Sequence, residues 1–237
     1  MNWLNWLIAK EKVVVYTLYF LSVLSIFTYN FLGLRSFISS VAELIIFAIV
    51  TLIGLIQLET EQSQKMKIWF MLNFSLSYLL LLISTKTDWI IKNLNFSSIF
   101  KIHLLEVPIV TVLAYLSISL GVFILNSYFR IRHSWFLIFI NTILLTIISS
   151  WFFTAMISLN LLSITENSQL FLVYFLILIV SFISSFSFIF LNISKPINMM
   201  SHYTISQFLV FIYLLSIIGL PQNHPNTILG FLNSSIR

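Results

Sequence analysis

Few side chains in this sequence could do chemistry, and they are scattered. The four histidines, His103, His133, His202 and His224, fall in connections or at the ends of apolar runs. Haem ligation across a membrane needs paired His deep within facing helices, and copper or zinc needs clustered ligands, so neither spacing is offered. His103 stands near Glu106, but a metal there would need further partners that the sequence does not supply. There is no cysteine, which removes disulfides, thiolate metal sites and a Cys nucleophile. Asp88 is the single Asp, and no Ser/His/Asp set, Gly-rich phosphate loop or acidic metal pair is present. Two carboxylates remain as candidate functional groups, Glu43 and Glu106. Glu43 lies about two turns into an apolar run, where a charge is costly and often functional. It reads either as a proton-relay or ion-coordinating carboxylate, or as a hydrogen-bonded Glu that fixes helix packing. Glu106 precedes Pro108 by two residues, a pattern that suits the start of a helix, where Pro fits the first turn and the dipole favours a carboxylate.

The elements that must position these groups are apolar runs. Hydrophobic residues make up 59% of the 237 residues and charged ones 8%, whereas soluble domains carry roughly a quarter of their residues as charge. Crossing a hydrocarbon core about 30 Å thick takes roughly 20 helical residues. Runs of that order lie at 13–34, 37–58, 68–85, 107–129, 135–162, 168–193 and 204–220. They are continuous instead of alternating, which argues against a β-barrel. The expected fold is therefore all-α: a polytopic membrane protein of seven transmembrane helices in one bundle domain, residues 1–237. No connection is long enough for a second domain. Residues 1–12 lack a basic start and a small-residue cleavage site, so they do not resemble a cleaved signal. The abundance of Phe, Leu, Ile, Ser and Asn is the drift expected of an AT-rich genome, an organelle's or a bacterium's.

Counting spans assigns each cation to a side. Lys10, Lys12, Lys65, Lys67, Arg130, Arg132 and Lys195 share the side of the N-terminus; Arg35, Lys86, Lys92, Lys101 and Arg237 fall opposite. The excess predicts the N-terminus inside and the C-terminus outside. The net charge of +5 is spread singly or in pairs at span ends, which is no nucleic-acid patch. Segment 86–103 alternates apolar residues with Lys92, Asn93, Asn95 and Lys101, as an amphipathic piece on the outer surface would. Trp69, Trp89 and Trp135 fall near predicted interfaces, where an aromatic belt is expected. Ser181, Ser184, Ser185 and Ser187 suit close helix contact and interhelical hydrogen bonds. No inverted repeat is evident, and no span interior contains Pro, unlike transporters built on broken helices. The pattern is that of a packed scaffold.

At Leu105-Glu106-Val107-Pro108 the sequence resembles the Leu-Glu-Val-Pro that opens the fourth span of cytochrome c oxidase subunit III, in its mitochondrially encoded type. Thr142-Ile143-Leu144-Leu145 looks like a stretch of that family's fifth span, and Ser163-Ile164-Thr165-Glu166 is similar to the Thr-Ile-Ser-Asp before its sixth. These pieces are collinear with the span layout from about residue 13 to 220. The chain departs from the family elsewhere. Its third span carries no acid, the family's sixth-span His pair falls near Val180 and Ile183, the paired His ending the fourth span falls near Asn126 and Ser127, and Leu58-Glu59-Thr60-Glu61 replaces an Arg-Asp. The resemblance implies a strongly divergent, non-redox core subunit of complex IV in the mitochondrial inner membrane, with the N-terminus in the matrix and the C-terminus in the intermembrane space. It would bind no cofactor itself. Haem a and copper would sit in partner subunits, chiefly the catalytic subunit I, which this chain would stabilise while holding phospholipid in a cleft between the first two spans and the other five. The complex oxidises cytochrome c, reduces oxygen and pumps protons. The missing third-span carboxylate leaves open any part of this chain in proton uptake. The alternatives are a small transporter or permease subunit using Glu43, and an accessory subunit of another respiratory complex.

Overall fold

A computed structural model describes residues 63–87, 91, 94–96, 103–127, 133–158, 161–164 and 169–193, together with Thr17 and Phe20. The spans expected at 13–34, 37–58 and 204–220, and Glu43 with them, lie outside these residues apart from Thr17 and Phe20. Four helices are described: α1 (Ser63–Thr87), α2 (Ile109–Ser127), α3 (Ser134–Ser158) and α4 (Gln169–Phe190). All four are long and apolar enough to cross a membrane. Four two-residue strands accompany them: β1 (Asn95–Phe96), β2 (His103–Leu104), β3 (Val107–Pro108) and β4 (Leu162–Ser163).

The helix boundaries follow from local chemistry. The third span was expected at 68–85, but α1 begins five residues earlier. Met66 and Trp69 are buried while Lys65 and Lys67 point outward, so the extra turn packs on one side and snorkels on the other. At its far end Lys86 occupies the last turn, where the helix dipole favours a cation. The fourth span begins at Ile109 instead of 107, because Val107–Pro108 pairs with His103–Leu104 in a tight hairpin. The fifth ends at Ser158, short of 162: the Leu161 amide turns back to the Met156 carbonyl at 2.9 Å, and Leu162–Ser163 then pairs with Asn95–Phe96. The sixth closes in a Schellman motif, with Asn192 at φ 49° and its amide on the Ile189 carbonyl at 2.9 Å, and the Ile193 amide on the Phe188 carbonyl at 3.4 Å. Asn tolerates this left-handed position better than most residues.

Successive helices pack against each other, α4 returns to α1, and α2 touches α4 across the bundle. The ends of α1 and α3 and the starts of α2 and α4 gather at one pole, as alternating membrane crossings require. There the β1–β4 pairing joins the connection after α1 to the connection after α3. Within segment 86–103, Ile91 and Leu94 are buried in a cluster with Met156, Leu161, Leu162 and Val173.

The exterior of the bundle is apolar, unlike that of a water-soluble protein, and small polar side chains share the interior with the apolar core. Phe171, Phe175, Phe182, Phe186 and Phe190 form an exposed stripe along α4, and Phe136, Phe139, Ile143 and Ile147 do the same on α3. Inside lie Asn73, Asn126, Asn141, Thr142, Ser181 and Ser184 among others. Large apolar surface outside with small hydroxyls and amides between helices is the arrangement lipid favours, since tails solvate Phe and Leu while small polar residues bring helices close. Many of the hydroxyls are satisfied by their own helix: Thr142 donates to the Ile138 carbonyl at 2.7 Å, Thr154 to Ser150 at 2.9 Å and Ser185 to Ser181 at 2.7 Å. In a medium without water such back-bonding keeps the hydroxyl from being orphaned.

Candidate functional site

The site with the most chemical possibility is a cavity of about 130 Å³ between all four helices, close to the hairpin pole. Helical periodicity builds it. Ser77, Leu80, Leu81 and Ser84 come from one face of α1, and Ser149, Phe152, Phe153 and Met156 from one face of α3. Val173, Leu176, Ile177 and Val180 come from α4, and Thr111, Val112 and Tyr115 from α2. Three of the four sets follow an i, i+3, i+4, i+7 spacing, the pattern of side chains stacked along one helical stripe. Ile91, Phe96 and Leu162 complete the wall from the connections.

The walls are mostly apolar, and the polar groups divide by depth. Near the pole, Ser84 Oγ donates to the Leu80 carbonyl at 2.7 Å and Thr111 Oγ1 to the Pro108 carbonyl at 2.7 Å. Deeper in, Ser77 Oγ and Ser149 Oγ have no hydrogen-bond partner although both residues are buried. The Tyr115 hydroxyl interacts with the side chains of Ser181, Ser119 and Ser184, yet none closes a well-formed hydrogen bond with it. Thr154 and Tyr174 share a hydrogen bond of 3.1 Å that ties α3 to α4 nearby.

At the opposite pole the interior is filled. Trp69, fully buried, donates its indole N–H to the Ser184 carbonyl at 3.1 Å and meets Phe123 and Phe188 edge-on at 5.8 and 5.7 Å. Asn73 Nδ2 donates to the Trp69 carbonyl at 2.8 Å and to Ser187 Oγ at 3.3 Å, while its Oδ1 has no partner. Asn126 Nδ2 donates to Asn141 Oδ1, joining α2 to α3.

The residues singled out in the sequence fall elsewhere. Glu106 is not in the first turn of α2. It occupies the second central position of the β2–β3 hairpin, with φ 77° after Leu105 at φ 48°, and its carboxylate pairs with Lys86 on the exposed surface. The carbonyl of Leu104 accepts the Tyr78 hydroxyl at 2.8 Å, so the hairpin is held to α1 at two points. Trp69 does not belong to an interfacial belt, because its ring points into the bundle; Trp135, 73% exposed, does sit at a helix start as expected. The Ser181–Ser187 patch packs as its composition suggested, all four serines being buried. Among the described residues, no three His, Asp or Glu side chains come together as metal ligands would. Ser77, Tyr115 and Ser149 carry no motif that marks them in the sequence. The available signal was a Ser with apolar residues at i+3 and i+4, repeated on two helices. No family model, curated protein or solved structure matches the chain.

Proposed function

We propose that this chain is a non-redox scaffold subunit of a membrane respiratory assembly, and that the assembly is the haem–copper cytochrome c oxidase whose third subunit its motifs resemble. The observation that supports the reading is the content of the bundle: hydroxyls, amides and aromatic rings pack between the four described helices. A subunit that holds a neighbour and its lipids needs a rigid interior and a broad apolar flank, which the Phe stripe of α4 and the Phe and Ile stripe of α3 provide.

The motif positions lend support. Val107–Pro108 immediately precedes α2, Thr142 to Leu145 lie within α3, and Ser163 and Ile164 precede α4, the same order along the chain as in the resemblance. In this reading the catalytic subunit carries haem a and copper, phospholipid covers the remaining flank, and the N-terminus lies in the mitochondrial matrix. Glu43 would act in assembly, so Glu43→Gln should lower the amount of complex more than the protons pumped per electron. Normal assembly with lost pumping would sink that assignment.

The test is to extract the native membrane in mild detergent, resolve its complexes and record visible spectra of the band holding this chain. Haem a absorbance together with the catalytic oxidase subunit is the expected result. A band free of haem would overturn it, and flux of a solute through vesicles containing this chain alone would replace it with a transporter.

A further inference from the structure

The polar groups of the four-helix cavity are unevenly committed. Ser84 and Thr111, near the hairpin pole, spend their hydroxyls on their own helices' carbonyls. Ser77 and Ser149, 8% and 4% exposed, spend theirs on nothing. At 1.5 Å per residue, Ser77 lies roughly 15 Å from the end of α1 and Ser149 roughly 14 Å from the end of α3. That depth is about half of a 30 Å hydrocarbon core. Two unpartnered hydroxyls at about one level, one on α1 and one on α3, are costly in lipid, which offers them no water. Either serine could have back-bonded as Ser84 does. Their availability and the apolar walls above them define the complement.

From this we infer that the cavity is a binding site for a compact ring alcohol, of which a simple phenol is the type. Its apolar body would lie among Leu81, Phe153, Val173 and Val180, and its oxygen would meet the hydroxyls of Ser77 and Ser149. The size suits a single ring: an apolar protein cavity of about 150 Å³ accommodates benzene, and this one measures about 130 Å³. Water could hydrate the serines but finds few of the two to four polar partners it requires along walls this apolar. The site is independent of which complex the chain joins.

The test uses the full chain in phosphatidylcholine nanodiscs, with 4-fluorophenol and fluorobenzene as probes read by fluorine NMR. Saturable binding of 4-fluorophenol, displaced by phenol, is expected. In the Ser77→Ala, Ser149→Ala double variant it should weaken by about tenfold, the value of one or two lost hydrogen bonds, while fluorobenzene binding stays unchanged. Removing unpartnered hydroxyls should not harm folding, which the helical circular dichroism would verify. Val180→Phe, which fills the cavity, should abolish the binding of both probes. Equal 4-fluorophenol binding in the double variant and the parent would overturn the inference, as would no saturable binding in a chain that remains helical.

Discussion

At the Trp69 pole, indole, phenyl rings and three asparagines interlock; the indole and the Asn73 and Asn126 amide donors find partners, while Asn73 Oδ1 and Ser184 Oγ have none. At the hairpin pole, mostly apolar side chains surround a cavity, and Ser77 and Ser149 keep their donors free. Both regions are built from the same four helices, and side-chain volume separates them. Trp69, Phe123 and Phe188 converge at one pole, whereas Ser77, Ser149 and Val180 meet nearer the other, and small residues facing one another leave space. The first region can be read as the part that holds the bundle together, and the second as the part free to take up something else.

If that division is right, the largest loss should come from Trp69. Trp69→Ala removes a fully buried ring and its indole bond, and should cost about 3–5 kcal/mol, measured as a shift in detergent-induced unfolding. Trp69→Phe keeps an aromatic ring and should cost about 1 kcal/mol. A loss below 1 kcal/mol for Trp69→Ala would dissolve the distinction between the poles. The Asn126–Asn141 bond should show next. A double-mutant cycle with Ala at both positions should give a coupling of about 0.6–1.7 kcal/mol, the range of interhelical hydrogen bonds in membranes; zero coupling would mean that the pair only fills space. At the hairpin pole the expected change is smaller and opposite in sign. Leu105 holds φ 48° in a two-residue turn, a position that Gly or Asn occupies with less strain. Leu105→Gly should therefore stabilise by roughly 0.4–1 kcal/mol, and destabilisation would show that the Leu side chain matters more than the turn. Smallest of all, Ser149→Ala should be neutral or slightly stabilising, since it removes a buried hydroxyl that bonds to nothing. A loss above 1 kcal/mol would place that hydroxyl in the supporting network.

The contrast between poles also explains what could be read from the sequence. The four helices were legible because runs of about twenty apolar residues have few other uses. Their ends were not. Whether Ser63 to Lys67 continue α1 depends on Met66 and Trp69 finding an interior, and whether Val107 starts α2 depends on a hairpin with positive φ at Leu105 and Glu106, residues that do not announce such a turn. Trp69 near a span end has the signature of an interfacial anchor, and only the opposing Phe123 and Phe188 reveal that it points inward. The Ser181–Ser187 patch could be anticipated because small hydroxyl residues in a span have a limited set of roles. The cavity could not, since it arises where four separate stripes face each other, and that is a property of packing. Glu106 drew notice as a carboxylate and serves as a surface partner of Lys86.

The aromatic stripe of α4 faces lipid while the serines face the bundle. The chain has no cysteine, so single cysteines can carry spin labels without background. Labels at Phe175→Cys and Phe182→Cys should collide readily with oxygen and be shielded from an aqueous nickel chelate, and a label at His133→Cys, exposed before α3, should show the reverse. Labels at 175 and 182 as open to the chelate as the one at 133 would contradict the membrane-spanning bundle and everything built on it.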